Sequence, residues 1–185
     1  NYELNDLINT RAVLESCSYF IGAKITNQRL VDRLDYLSNY DALTGAKNRN
    51  ALLTAVEELT WGTESVGVVF VDVNGLKKIN DTQGQAAGDE VLRLVARQLS
   101  TEYGAGNVYR EGGDEFVAIL PGIGYDEFAR RQEGLLARLA KEQRQVASMG
   151  FEWCADPHGV AEAIRSADMR MYRAKAAYYC QLGLQ

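Results

Sequence analysis

The stretch Arg110-Glu111-Gly112-Gly113-Asp114-Glu115-Phe116 sets two glycines and two carboxylates between two β-type runs, 107–110 and 116–120. A Gly-Gly pair flanked by strands reads as a tight hairpin, because glycine takes positive φ freely. Such a turn lets bare backbone approach a ligand. The carboxylates beside it are hard oxygen donors suited to Mg²⁺. A further carboxylate, Asp72, lies at the end of the valine-rich run Val66–Val73. A carboxylate closing a buried strand is costly unless it is paired or metal-bound. If that strand neighbours the hairpin, Asp72 and Glu115 converge. Two acids can hold Mg²⁺ when backbone carbonyls, waters and substrate phosphates complete the octahedron. With two ions bound, a hydroxyl can be activated and a pyrophosphate leaving group neutralised during in-line attack. Lys77, Lys78 and Lys175 are available to meet phosphates. The competing reading is a surface hairpin with solvated acids and an Asp72 that simply reaches water. The residues alone leave both open and reach no further than Mg-dependent nucleotide chemistry.

The elements that must position these groups can be traced along the chain. Residues 1–40 hold no proline and one glycine, Gly22. Leu7, Leu14 and Ile21 recur at seven, with Leu4 and Ile25 near the alternate seam and Leu30, Leu34 and Leu37 continuing at helical spacing. Arg11 and Ser18 interrupt the seam. This predicts one or two helices, either a dimerising coiled-coil stalk or an ordinary amphipathic helix packed on its own domain. The boundary falls at Ser38-Asn39-Tyr40-Asp41, giving a stalk over 1–40 and a second domain over 41–185. Asp41 or Thr44 is placed to cap a helix running to about Leu59, which Trp61-Gly62-Thr63 breaks. Val66–Val73 reads as a central strand covered on both faces. Asn74-Gly75-Leu76-Lys77-Lys78 turns into a short helix whose free N–H groups favour an anion. Asp81–Gly84 ends it, and Gly88-Asp89 opens the next, with Val91, Leu92, Leu94 and Val95 inward up to Leu99. The hairpin follows and Pro121 stops it. A helix over Asp126–Lys141 turns Phe128, Leu135, Leu136 and Leu139 inward. Gln145–Trp153 is a strand. Val160–Tyr178 is a final helix with Ile164, Ala167, Met171 and Ala174 on one side. Strand, helix, hairpin, helix, strand predicts an α/β (α+β) fold with a mixed, mainly antiparallel sheet flanked by helices.

Bulk composition narrows the function. At 185 residues with 46% hydrophobic and 24% charged residues, the chain can build a real core. A net charge of −5 argues against a broad nucleic-acid footprint but leaves room for a local basic patch. Three cysteines, Cys17, Cys154 and Cys180, form no C-x-x-C pair, so reduced thiols are expected rather than a zinc site or disulfides. His158 is the one histidine, which excludes any mechanism needing two. No apolar run approaches the ~20 residues that cross a bilayer, and no signal-peptide pattern is present. The absent initial methionine points to a piece of a longer protein with an upstream sensor. This piece is expected in the cytoplasm, without membrane contact of its own, and could be the cytoplasmic part of a membrane-anchored protein.

Gly112-Gly113-Asp114-Glu115-Phe116 resembles the signature of the GGDEF family, the diguanylate cyclases. Asp41-Ala42-Leu43-Thr44-Gly45 with Asn48-Arg49 looks like the family's D-x-L-T-G-x-x-N-R opening. Phe70-Val71-Asp72-Val73-Asn74 running into Lys77-Lys78-Ile79-Asn80-Asp81 fits as well. So do Gly88-Asp89-Glu90-Val91-Leu92 and Ala167-Asp168 with Met171-Tyr172-Arg173-Ala174-Lys175. The match covers roughly residues 38–178, and jointly these motifs are highly specific. The resemblance implies a fold like the catalytic domain of class III nucleotide cyclases and the polymerase palm. It implies condensation of two GTP into cyclic di-GMP with release of two pyrophosphates, in a site formed between two facing domains of a homodimer.

By the same resemblance, Asp72, Glu115 and the Val73 carbonyl would hold Mg²⁺, two ions per GTP, with Mn²⁺ able to substitute. Asn80 and Asp89 would hydrogen-bond the guanine edge. Backbone N–H groups of Gly75, Leu76 and Lys77 would cradle phosphates, and Lys175 would meet the terminal ones. Gly112 and Gly113 would admit the nucleotide, and Asp114 would help activate the attacking 3′-hydroxyl. Three departures stand out. The family commonly has an arginine four residues after the position of Lys175, where this chain has Tyr179. Many members carry an R-x-x-D product-inhibition site where this chain has Tyr103-Gly104-Ala105-Gly106. A histidine often found just after the guanine asparagine segment is Gln85 here. The alternative reading is a degenerate domain that binds GTP and regulates a partner without turnover.

Overall fold

The computed structural model describes the backbone of residues 2–60, 65–141, 146–181 and 183, and the side chains of 16–59, 65–137, 146–156, 158–181 and 183. The break expected at Trp61-Gly62-Thr63, the strand start at Gln145, and the side chains of Leu4, Leu7, Arg11, Leu14 and Leu139 lie outside those limits. The chain divides into two units, Asn1–Ser38 and Asn39–Gln185.

The first unit is one uninterrupted helix, α1 (Tyr2–Asn39). Gly22 sits within it, and Thr26 Oγ1 donates to the Gly22 carbonyl at 2.9 Å. Ile21, Ile25, Leu30, Leu34 and Leu37, the apolar positions expected on its stripe, are all exposed.

The second unit runs α2 (Arg49–Thr60), β1 (Val66–Val73), α3 (Leu76–Gln83), α4 (Gln85–Tyr103), β2 (Val108–Gly112), β3 (Glu115–Pro121), α5 (Tyr125–Lys141), β4 (Ala147–Cys154) and α6 (Val160–Gln181). The sheet order is β2-β3-β1-β4, and all three strand pairings are antiparallel. A single parallel bridge, Lys47 to Tyr109, touches its edge. β1 is therefore interior to the sheet, as its valine content predicts. Successive residues of a strand face opposite sides, and β1 serves two cores in this way. Val69, Val71 and Val73 pack with Leu92, Val95 and Leu99 of α4 and Phe128 and Leu135 of α5. Val66, Val68 and Phe70 pack with Leu52 of α2 and Val160, Ala167 and Met171 of α6. Each such side chain contributes about 1.5–3 kcal/mol on full burial, which is why an unbroken apolar run is needed here.

Two helix starts and one expected inward side chain differ from expectation. Asn48, not Asp41 or Thr44, caps α2: its Oδ1 accepts from the Ala51 N–H at 3.1 Å. Asp41 and Thr44 instead close a turn on each other, with the Thr44 N–H and hydroxyl donating to Asp41 Oδ1 at 2.9 and 2.6 Å. α4 begins at Gln85, so Gly88 lies inside its first turns rather than before them. Leu136 is exposed while Phe128 and Leu135 are buried, because α5 turns only a narrow stripe to the sheet. Cys17, Cys154 and Cys180 are free thiols, and His158 is exposed.

Gly150 fixes how closely α6 lies on β4. A Cβ there would fall 1.9 Å from the Ala167 carbonyl oxygen and 2.4 Å from the Met171 nitrogen, both backbone atoms that cannot rotate away. Gly150→Ala should therefore lift α6 and cost about 1–3 kcal/mol of stability. Denaturant unfolding checks this, and an unchanged midpoint would mean that the helix is not seated on the strand in this way.

Candidate active site

The sheet brings the two expected acids side by side. Asp72 of β1 is the register partner of Glu115 of β3. The Val73 N–H donates to the Asp114 carbonyl at 3.0 Å, tying the hairpin turn to the end of β1. Asp72 is buried, at 5% exposure, and is not solvated as the competing reading required. Lys175 Nζ donates to both of its carboxylate oxygens at 2.6 Å. α6 carries Lys175 to this point, one turn beyond the buried Met171.

The charges at this corner do not balance. Burial pushes the Asp72 carboxyl above its usual value, against the hydrogen bond and charge of Lys175, with Asp114 and Asp168 adding to the rise. Glu115 is also pushed up, by burial first and then by the negative charges of Asp72, Glu111, Asp114 and Asp168. For Lys175, burial works downward, but the hydrogen bond and charge of Asp72 outweigh it and hold the ammonium above its ordinary value. Several acids thus gather beside the Lys175 ammonium, and a hard divalent ion would relieve the excess negative charge. Among the described residues no three His, Cys, Asp or Glu side chains form a metal-holding group. The donor set fits Mg²⁺ as two carboxylates, Asp72 and Glu115, leaving the remaining positions to the Val73 carbonyl, water and substrate oxygens.

Beyond Asp72 the chain turns sharply into α3. Gly75 has φ +66°, a conformation that a side chain would strain. The turn is held from several sides. The Asn74 N–H donates to the Val146 carbonyl at 2.8 Å, and Ser148 Oγ donates to Asn74 Oδ1 at 2.8 Å. The Gly75 N–H donates to the Tyr179 hydroxyl at 3.1 Å. Of the three expected phosphate donors, Gly75 therefore already has a protein partner, and Leu76 and Lys77 open α3.

Leu76 and Lys77 also line a cleft of about 400 Å³, together with Asn80, Asp89, Gly113 and Asp114. Gln85 lies on the same wall. Asn80 Oδ1 is buried without a hydrogen-bond partner among the described residues. Gly88 makes room for it, since a Cβ there would lie 2.0 Å from that oxygen. Asp72, Val73, Gly75, Gly112, Glu115 and Lys175 are outside the cleft lining and adjoin it through the Val73–Asp114 hydrogen bond.

The hairpin itself differs from the expected left-handed glycine turn. Its turn residues are Gly113 and Asp114, and neither Gly112 nor Gly113 has a left-handed φ. The register shifts between Arg110 and Gly112, so Glu111 is the extra residue of a bulge. What the glycines give is open space, for a Cβ on Gly113 would meet nothing within 4 Å.

Sequence reasoning assigned no role to three residues that the geometry brings in. Arg110 donates to the Gly113 carbonyl through Nη2 at 2.6 Å and Nε at 3.3 Å, and to Asp41 Oδ1 through Nη1 at 2.9 Å. It clamps the turn to the segment before α2. Asp168 and Glu111 add to the charge felt by Glu115. Asp168 was readable, because it sits two helical turns before Lys175 on the same face of α6. Burial works upward on the Asp41 carboxyl, but its bonds from Thr44 and Arg110 hold it below the usual value. A depressed carboxylate stabilises the fold above its unfolded value, and that contribution is lost as pH falls through the folded one. Asp41→Asn should therefore lower stability at neutral pH, and the gap between variant and parent should close as the solution is acidified below about pH 4. Unfolding measured across that range reads the effect; a gap that stays constant would exclude the ion pair as its source.

Comparison with known proteins agrees with this geometry. The family model "Diguanylate cyclase, GGDEF domain" matches residues 38–179. Diguanylate cyclase DgcM of Escherichia coli K12 is 31% identical over 162 residues, covering 82% of this chain and 40% of DgcM. Cyclic di-GMP phosphodiesterase PdeR of the same organism is 31% identical over 166 residues, covering 83% of this chain and 25% of PdeR. The coiled coil and GGDEF domain of DgcB from Caulobacter crescentus, solved in complex with c-di-GMP, superposes with a TM-score of 0.73 at 22% identity, over 89% of this chain and 95% of that one. The chain spans only 20% to 43% of the length of such curated relatives. Over residues 38–179, with its signature on the β2–β3 hairpin and Asp72 of β1 paired with Glu115 of β3, the chain belongs to the GGDEF family of diguanylate cyclases.

Proposed function

We propose that this domain condenses two GTP into cyclic di-GMP, releasing two pyrophosphates, between two facing copies of the chain. The observation that carries the reading is the pairing of Asp72 with Glu115 beside a cleft whose buried Asn80 oxygen lacks a donor. Guanine offers the N1–H and N2–H₂ donors that Asn80 Oδ1 and the Asp89 carboxylate need. Adenine would leave them short, at about 1–3 kcal/mol for each unsatisfied group.

The residues then divide the work. The N–H groups of Leu76 and Lys77 face the phosphates at the start of α3, with Gly75 beside them. Gly112 and Gly113 let the nucleotide come close to the hairpin. Mg²⁺ held by Asp72, Glu115 and the Val73 carbonyl would neutralise charge on the phosphates and favour ionisation of the attacking hydroxyl. Lys175 has to release at least one Asp72 oxygen for that ion and is then free to turn to the terminal phosphates. In each half-reaction the 3′-oxygen of one GTP bonds to the α-phosphorus of the other. The bond from that phosphorus to the pyrophosphate oxygen breaks, and the hydroxyl proton leaves toward Asp114 or water. Each domain brings one GTP, so turnover needs two domains. The exposed apolar positions of α1 suit a helix that pairs with its counterpart under control of an upstream sensor.

A second reading, GTP binding without turnover, draws on Tyr179, which stands where the family commonly has a cation and takes the Gly75 N–H. Incubating the protein with GTP and Mg²⁺ at a concentration that favours dimers, then separating the products by chromatography, distinguishes the two. The expected product is cyclic di-GMP; GTP bound tightly but left intact would favour the second reading. Glu115→Gln should remove metal-dependent turnover and leave the folded spectrum unchanged. Undiminished activity in that variant would contradict its place as a ligand. Asp89→Asn should reduce the preference for GTP over ATP, read as the ratio of the two affinities, because an amide cannot reproduce the two acceptors of a carboxylate.

A further inference from the structure

Tyr179 lies one helical turn beyond Lys175 on α6, and both reach the end of β1. The Gly75 N–H donates to the Tyr179 hydroxyl at 3.1 Å across 104 residues of chain. A phenol oxygen accepts hydrogen bonds and also has one hydrogen to give. Among the described residues no acceptor takes that hydrogen from Tyr179. The ring is half-buried, edge to face with Tyr178 at 5.3 Å between centroids, so the hydroxyl is held at the turn rather than free in solvent. Lys175, one turn earlier on the same face of α6, holds Asp72 at the end of β1. The hydroxyl thus stands at the mouth of α3, on the helix that also carries the cation assigned to the terminal phosphates.

We propose that Tyr179 is a phosphate-binding residue of this domain: it receives the Gly75 N–H and passes a hydrogen bond on, from its own O–H, to a terminal phosphate oxygen of the nucleotide. This rests on the GTP-binding reading above. The relay moves the donor outward from the backbone by the length of one hydrogen bond. It offers the terminal phosphates a neutral donor in addition to the Lys175 cation. Polarisation along the chain Gly75 N–H, Tyr179 O–H, phosphate strengthens the outer bond. The opposite role is a plug, in which Tyr179 merely blocks the Gly75 N–H from the phosphate.

Equilibrium binding of GTP and of GMP, each with Mg²⁺, to the parent, Tyr179→Phe and Tyr179→Arg separates these roles. Tyr179→Phe keeps the ring and its packing and loses only the oxygen. The expected result is GTP bound roughly tenfold more weakly, with GMP unchanged because it lacks the terminal phosphates. Tyr179→Arg returns a donor from the same helix face. It should bind GTP at least as tightly as the parent and with a steeper loss of affinity as salt rises. Tighter GTP binding by Tyr179→Phe would establish the plug and overturn the relay. Equal GTP binding by parent and Tyr179→Phe would overturn it too, as would a Tyr179→Arg protein as weak as Tyr179→Phe. A parent that shows no affinity for GTP would instead refute the nucleotide reading itself.

Discussion

A carboxylate at the end of a strand buried on both faces has to find a counter-charge, and most of the second unit is arranged around that requirement at Asp72. β1 brings the group to its own end, in the interior of the sheet between β3 and β4. Burial there raises its affinity for a proton, and Lys175 answers with a close ion pair. Lys175 can do so only because α6 crosses the sheet close enough for its far end to reach back to β1. The depth at which α6 lies is set at Gly150, where a missing side chain admits the helix backbone. A local electrostatic need is thus met by a packing decision made on the neighbouring strand.

The turn after Asp72 shows how strongly such a corner can be over-determined. Hydrogen bonds reach it from Val146 and Ser148 of the β4 side, from Asp114 of the hairpin and from Tyr179 of α6. These partners come from three different parts of the sequence. Their agreement on one backbone conformation allows Gly75 to hold a left-handed φ. The hairpin is pinned in the same manner, by Arg110 bridging its Gly113 carbonyl to Asp41. Donors and acids placed with this redundancy do not need to reorganise when charge appears near them, which is the condition for electrostatic stabilisation of a phosphoryl transfer.

Much of this was legible in the chain. The element order, the central position of Val66–Val73 and the meeting of Asp72 with Glu115 follow from an apolar run, two turn signals and strand adjacency. Asp41, Thr44 and Asn48 are all acceptable helix caps, and the choice among them was made by Arg110, which engages Asp41 from far along the chain. Gly88 reads as a helix start, but it lies inside α4, where its missing side chain leaves space for Asn80. The hairpin glycines were credited with unusual φ, whereas the bulge at Glu111 carries the irregularity and they leave room instead. Tyr179 could be seen as a departure from the family pattern, yet its bond to Gly75 spans the chain and has no local signature. Propensity describes a residue and its neighbours; the choice of cap and the bond to Tyr179 were set by partners distant in sequence.

The contact at Gly150 has a mechanical consequence. Because Ala167 and Met171 bear on the strand there, that contact works as a fulcrum for the rest of α6. At 1.5 Å rise per residue, Lys175 and Tyr179 stand about 6 Å and about 12 Å further along the helix than Met171. A tilt of only about 5° would carry them sideways by about 0.5 Å and about 1 Å, the latter enough to break a hydrogen bond. A slight rocking of one helix would then loosen the hold on Gly75 before it disturbed the ion pair at Asp72, so that α6 acts as a lever with its two polar grips set at unequal arms.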